Sequence, residues 1–457
     1  MNELFDTVAA VSTPRGKGGI AVIRISGKDA RDILARVFAP AHRAPLDAPR
    51  RACLGRILSA DGVTVDEGLA TFFPSPASFT GEDVAEIACH GGILLTEQVL
   101  TAVLAAGARP ASAGEFTRRA LLNGKMKLSG AEALGDLLEA RTEGQLSLAR
   151  GGMAGHLSSA IEAAYSRLSA LLADAYAKID FPDEDLNTLS REELAAAFAE
   201  VERELDRLLR TYRTGHAVRE GVATVICGPV NAGKSTLYNA LLGRDAAIVT
   251  DVAGTTRDLL SDTVGLGAVT LRLFDTAGLR DTDDVVEGIG VERSREAMQN
   301  AELVLAVFDA SKAPDAETEA FLAELKGLSA TVIAVLNKGD LPQVLPAERL
   351  ADFAAVVSLS ARERDVAALR AAVEELYLSD GILLGEDAVV SNARQHAALS
   401  RAAAALSQTV ASLREDVPLD AACIDAELAM QALGEVDGRA VDESILSDIF
   451  SHFCVGK

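Results

Sequence analysis

Tryptophan is absent from this 457-residue sequence, and aromatic residues make up only 4% of it. Packing therefore falls to aliphatic and alanine-rich stretches, which favour helices. The 49% hydrophobic share is enough for a sizeable core, and the length suits about three domains. Cysteine is scarce. The five residues stand at 53, 89, 227, 423 and 454 without a C-x-x-C pair, as expected of reduced thiols in a cytoplasmic protein rather than a disulfide framework. No apolar run reaches the roughly 18 residues a membrane span needs. The opening MNELFDTVAAVST has no basic leader ahead of an apolar core, so no signal peptide is expected. Positive charge is also short. The net charge of −23 argues against non-specific nucleic-acid binding over the whole surface. The first 60 residues run against this trend, with ten Lys/Arg against five Asp/Glu. That leaves open either a local basic face or an ordinary solvated surface.

What is present changes texture along the chain. Residues 1–120 alternate short β-rich runs with turns, as in GGIAVIRISG (18–27) and GLATFFPSPASFTGEDVAEIACHGG (68–92), followed by a helical ILLTEQVLTAVLAAG. This is an α+β domain. Residues 121–220 carry a long helical pattern, broken near Gly151-Gly152 and resumed after FPDEDL, where Ser190 and Glu193 fit a capping box. Residues 221–380 alternate β-rich runs such as VATVICG with helical patterns, which predicts a parallel sheet. Residues 381–457 are helical again. The reading is a multidomain α/β chain in which an α/β block interrupts an all-α domain. Two independent helical pieces are the alternative.

GPVNAGKST (228–236) fits G-x-x-x-x-G-K-[ST] between an apolar strand and a helix, the context that makes the match meaningful. The glycines let backbone N–H groups of Asn231, Ala232 and Gly233 wrap phosphates. Lys234 should reach the outer phosphates, Ser235 should ligate Mg²⁺, and Thr236 continues the helix N-terminus. A loop at 250–256 (Thr250, Asp251, Val252, Ala253, Gly254, Thr255, Thr256) offers hydroxyls to the same metal. DTAG supplies Asp275, Thr276, Ala277 and Gly278, an acid for the metal shell and an N–H for the γ-phosphate. NKGD supplies Asn337, Lys338 and Asp340; the Asp340 carboxylate can accept the paired N–H donors of guanine, which adenine lacks. SLSA brings Ser360 and Ala361 over the base. In order, each at a strand end, these motifs describe a Ras-like P-loop GTPase.

One residue is missing from that pattern. A glutamine often follows the DTAG glycine and orients the attacking water. Here Leu279 stands there, and it cannot hold a water. The transition-state charge also needs a counter-charge. Arg257 and Arg280 are near in sequence, but nothing places either on the phosphates. A monovalent cation held by the Asn231 side-chain oxygen and carbonyls of the 250–256 loop would serve instead.

TPRGKGGIAVIRISG, SFTGEDVAEIACHGG, AGEFTRRALLNGKMKLSGAEAL, the interrupted helical region and the terminal FCVGK together resemble the TrmE-type family of tRNA modification GTPases over nearly the whole length. The resemblance implies a folate-binding N-terminal domain, also the homodimer interface, and a cytoplasmic enzyme hydrolysing GTP to GDP and phosphate. It implies an FAD- and NADH-using partner, MnmG, in a heterotetramer. The pair would add an aminomethyl or carboxymethylaminomethyl group to C5 of the wobble uridine of certain tRNAs. The one-carbon unit would come from 5,10-methylene-tetrahydrofolate, of which 5-formyl-tetrahydrofolate is an analogue. By position, Asn231, Thr250, Val252 and Thr255 match K⁺ ligands, Ser235 and Thr256 match Mg²⁺ ligands, and Glu287 matches the glutamate that orients the water. Arg24, Glu82, Lys125 and Lys457 match folate contacts, and Cys454 matches a cysteine of the modification chemistry. An inert buried thiol is the alternative for Cys454, a solvated helix-start carboxylate for Glu287, and surface ion pairs for Arg24 and Glu82. His452 and Cys454 lack the second ligand pair that zinc would need. The phosphate loop departs from the family's G-x-P-N, its proline standing one place early at Pro229. Two other functions fit parts of the chain: a ribosome-assembly GTPase that modifies nothing, and a folate-binding one-carbon protein with a regulatory G domain. The N-terminal domain and the FCVGK tail argue against the first.

Overall fold

The computed structural model describes residues 6–14, 16–181, 188–245, 262–274, 297–378, 381–439, 443–451 and 453–456. The chain forms two compact units. One joins residues 1–135 to 437–457, and the other spans 136–436.

The first unit is built on a seven-stranded sheet. Its strands are β1 (Val8–Val11), β2 (Ile20–Ser26), β3 (Phe38–Pro40), β4 (Cys53–Leu58), β5 (Thr64–Phe73), β6 (Val84–His90) and β7 (Arg109–Pro110), in the order β3-β4-β5-β6-β2-β1-β7. Only β1 and β7 pair in parallel. The alternation of IAVIRIS decides the faces. Ala21, Ile23 and Ile25 join Ile87 and Phe72 in a core closed by helices α1 (Ala30–Val37) and α2 (Ile93–Ala105). Arg24 and Ser26 stand on the opposite face, where Arg24 lies across from Glu86. Two more helices follow, α3 (Glu115–Leu122) and α4 (Leu128–Glu139). Leu128 and Ala131 pack with Leu446 and Phe450 of the chain's last helix, Glu443–Ser451. The tail beyond it lies beside β1. Val455 bridges Ala113, and at Gly456 (φ +100°) a Cβ would come within 2.3 Å of the Val11 carbonyl oxygen.

The second unit opens with α5 (Glu143–Ala154), α6 (His156–Asp180), α7 (Arg191–Arg210) and α8 (Tyr212–Arg219). The expected break at Gly151-Gly152 falls elsewhere. Gly151 stays helical, and its missing Cβ admits the Gly385 backbone, at 2.9 Å from where that Cβ would be. The chain turns at Gly155 instead, whose left-handed φ of +82° ends α5. A second break, at Thr142, carries a capping box with Gln145. The Ser190–Glu193 capping box forms as expected.

An α/β block follows: β8 (Val222–Cys227), α9 (Lys234–Asp245), β9 (Asp262–Leu266), β10 (Val269–Phe274), β11 (Leu303–Asp309), α10 (Ala316–Leu325), β12 (Thr331–Asn337), β13 (Ala355–Ser358) and α11 (Ala367–Tyr377). The six strands run β13-β12-β11-β8-β10-β9, parallel except for the β9–β10 hairpin. Strands buried on both faces read as unbroken apolar runs, as LVLAVF and TVIAVL do. Helices α12 (Ala393–Arg414) and α13 (Leu419–Asp437) then return to α6 and α7. One core takes Leu168, Phe198 and Leu205 from before the block, and Leu399, Leu406 and Leu433 from after it. The α/β block is therefore an insertion. Its entry and exit are clasped. Val390 N–H donates to Thr211 Oγ1 (2.9 Å), Thr214 Oγ1 donates to the Tyr377 carbonyl (3.0 Å), and a Cβ on Gly215 would meet the Val390 carbonyl oxygen at 2.0 Å. Among the described residues no helix is long and apolar enough to cross a membrane.

Candidate functional site

The phosphate loop leaves β8 at its carboxyl end, between the strands on either side, where open α/β sheets bind ligands. Two glycines are sterically required. Gly228 (φ +152°) lies so close to β11 that a Cβ would sit 2.1 Å from the Val307 carbonyl oxygen. Gly233 (φ +98°) would place one 2.1 Å from Asn337 Nδ2. Between them Asn231 takes a left-handed backbone, φ +62°, a conformation asparagine tolerates better than most side chains. Its side chain is exposed. Lys234 opens α9, and its ammonium donates to the carbonyls of Gly228 and Pro229, both at 2.9 Å. Burial lowers its pKa, so the charge is held at an energetic cost that an anion could offset. Ser235 is half-buried beside it, and Thr236 is exposed.

The guanine-type motifs converge on this loop. The buried Asn337 amide donates to the Ala232 carbonyl (2.9 Å), and its oxygen accepts the Ala361 N–H (3.0 Å). One side chain thus staples the phosphate loop to the SLSA loop. Ser360 Oγ donates to Asp340 Oδ1 (2.9 Å), which aims an exposed carboxylate. Lys338 pairs with Asp309 at 2.6 Å, and Ser311 Oγ donates to the same carboxylate at 2.6 Å. Asp309 was not singled out in the sequence. Its place at the carboxyl end of an apolar strand, in VFDAS, was the available signal. Residues 250–256 and 275–279, Glu287 and Lys457 lie outside the described residues.

The second cluster lies in the first unit. Arg24 donates to Glu86 (2.9 Å) and stacks near Phe79 and Phe116, 5.5 and 5.7 Å from their ring centres. Its guanidinium also reaches the Gly456 carbonyl (3.5 Å), which Ser12 Oγ approaches at 3.0 Å. The tail and Arg24 therefore meet. Glu82 accepts from Ser26 Oγ (2.7 Å) and from Arg119, whose Nη1 is 3.2 Å from both carboxylate oxygens. Lys125 Nζ donates to the Pro76 carbonyl (3.1 Å). Cys454 is exposed, while the other four cysteines are buried.

Sequence reasoning missed the support behind Glu82. Arg119 is fully buried and binds Glu115 (2.9 Å), Asp6 (2.9 Å) and Glu82 together. Arg109 bridges Asp6 (2.5 Å) and Glu115 (2.7 Å). Burial pushes the Glu115 carboxyl up, but hydrogen bonds from Arg109, Ser112 and Arg119 outweigh it and hold the pKa at about 2. Burial disfavours the charged form of Arg119 too, and the carboxylates of Glu82 and Glu115 more than restore it. The spacing of Glu115 and Arg119, four apart on one helix face, was legible in AGEFTRRA. That these two would be buried was not.

Comparison with known proteins covers both units. A family model described as "MnmE helical domain" matches residues 128–454, and one described as "GTP-binding protein TrmE N-terminus" matches residues 7–125. The "tRNA modification GTPase MnmE" of Heliobacterium modesticaldum is 42% identical, over 99% of each chain. Proteins of the same name from Geobacillus thermodenitrificans and Lactobacillus helveticus are 40% and 39% identical, each aligned over 99% of this chain and over 99% and 98% of their own. With its P-loop domain set inside a helical domain and relatives matching it end to end, the chain belongs to the MnmE family of tRNA modification GTPases and is a GTP hydrolase.

Proposed function

We propose that this protein is a potassium-activated GTPase of the cytoplasm. It acts as a homodimer with an FAD-dependent MnmG partner to modify C5 of the wobble uridine in certain tRNAs, using a tetrahydrofolate-borne one-carbon unit. The observation that carries the reading is Asn231. It stands exposed at a left-handed position inside the phosphate loop, three residues before Lys234, and carries an amide oxygen. Support for the tRNA substrate comes from the relatives' shared name. Support for a folate comes from the Arg24 guanidinium, which packs over the partly buried Phe79 and the buried Phe116, and from the Glu82 carboxylate.

The side chains at hand suit the ions. Asn231 and Ser235 offer neutral oxygen donors, the kind hard cations take together with phosphate oxygens. When bound, potassium supplies the positive charge an arginine finger otherwise brings, and magnesium neutralises the phosphates. Lys234 and the loop N–H groups bind and orient the triphosphate. Asp340, aimed by Ser360, accepts the guanine donors. Thr250, Val252 and Thr255 are assigned to the K⁺ shell, Thr256 to Mg²⁺, and Glu287 to the water that Leu279 cannot hold. Cys454, exposed on the tail, is assigned to the modification step with Lys125 and Lys457 at the folate.

The test is GTP hydrolysis in KCl against NaCl at equal ionic strength. Potassium should accelerate turnover by about 10³-fold or more, the range of an arginine finger, and Asn231→Ala should abolish the difference. Equal rates in the two salts would sink the cation reading.

A further inference from the structure

The cluster behind Glu82 holds three carboxylates, Asp6, Glu82 and Glu115, against two guanidiniums, Arg109 and Arg119. Their hydrogen bonds are not evenly shared. Asp6 accepts three from the two arginines, at 2.5, 2.9 and 3.2 Å. Glu115 takes both arginines and the backbone and side chain of Ser112. Glu82 differs. Its Oε2 accepts from Ser26 Oγ at 2.7 Å and from Arg119 Nη1 at 3.2 Å, whereas its Oε1 has only Arg119 Nη1, also at 3.2 Å. A carboxylate accepts about four hydrogen bonds, so Oε1 retains capacity. The Glu82 side chain is 20% exposed, against 1% for Arg119. Ser26 is itself buried and locked by Thr80 Oγ1 at 2.7 Å. The carboxylate is thus held by two buried groups, and Oε1 is the oxygen with fewer partners.

We propose that Ser26 and Arg119 are positioning residues for Glu82, fixing the plane of its carboxylate so that Oε1 receives one N–H of a ligand's exocyclic amine. The proposal rests on the tetrahydrofolate reading, and it identifies the 2-amino group of the pterin as the feature selected. An amine is the fitting partner because it donates to an ionised acceptor. A carbonyl or methyl at that place leaves a desolvated carboxylate unpaired.

The test compares two probes by calorimetry on the full chain: 5-formyl-tetrahydrofolate and its 2-desamino-2-methyl analogue. The wild type should prefer the amino compound by about tenfold or more, the scale of a hydrogen bond to a charged group. Ser26→Ala and Arg119→Lys should each weaken binding of the amino compound by about three- to tenfold and leave the analogue within about twofold, so that the preference shrinks. Added to Glu82→Gln, either substitution should change nothing further. Ser26→Ala deletes one oxygen and carries the test alone if Arg119→Lys lacks a cooperative melting transition. Equal losses for both compounds, or an unchanged preference in the variants, overturn the positioning role. If the wild type binds neither compound, the tetrahydrofolate reading falls, and the proposal with it.

Discussion

The two clusters reach rigidity by opposite means. In the phosphate loop the constraints belong to the backbone. Gly228 and Gly233 fit only because they lack a Cβ, and the side chains that tie the loop down, the Asn337 amide, the Lys234 ammonium and the Glu317 carboxylate, each bond main-chain groups of the loop. Behind Glu82 the constraints are buried charges, with Arg119 at the centre of three carboxylates. A site that must wrap a polyanion does well to spend backbone N–H groups on it. A site that presents a carboxylate needs counter-charge behind it, because an unpaired buried charge is unstable. The contrast is between a cradle shaped by what is absent and a wall shaped by what is paired.

That contrast can be broken in order of effect. Gly228→Ala drives a Cβ to 2.1 Å from the Val307 carbonyl oxygen at a φ of +152°. GTP affinity should fall by about a hundredfold or more, ~3 kcal/mol, from strain alone. Equilibrium dialysis with labelled GTP measures it, and near-normal affinity would mean that the loop yields. Next, acid should act on the charged wall. The Glu115 carboxyl is held at about 2 in the folded state against an ordinary 4.5. Its folded pKa is depressed, so its contribution is complete above pH 4.5 and is lost as pH falls from 4.5 towards 2. The loss is about 3 kcal/mol. Glu115→Gln should flatten the acid limb of a thermal-melt series, and a limb as steep as the wild type's would contradict the assignment. Smaller still, Asn337→Ala removes two hydrogen bonds but no charge and no clash. Nucleotide affinity should drop about tenfold, ~1–2 kcal/mol, with little dependence on pH.

The two clusters also differed in how far the sequence disclosed them. The phosphate loop was legible because its chemistry is local: GPVNAGKST sets glycines, lysine and helix start within nine residues, and the later motifs each end an apolar strand. Behind Glu82 the partners come from four separate places, Asp6, Ser26, Arg109 and the Glu115–Arg119 turn of α3. Long-range pairing leaves no spacing to read, and a charged helix face predicts exposure when taken alone. The same limit misplaced the helix break. Gly151 looked like punctuation, yet it serves a contact with Gly385, more than two hundred residues away. Insertion of the α/β block was readable because the texture changes twice and returns to helix.

The clasp at the neck of that insertion has a kinetic meaning. The helical core must unite residues around 168–205 with residues around 399–433, and an open chain of that separation carries a large loop-closure entropy. Once the α/β block has folded, Thr211 and Val390 stand side by side, and the entropic distance between α7 and α12 shrinks to a few residues. The sheet should therefore gain hydrogen-exchange protection before α7 and α12 do in a pulse-labelling experiment, and the reverse order would rule this out. The inserted enzyme is then the splint on which the surrounding helices assemble.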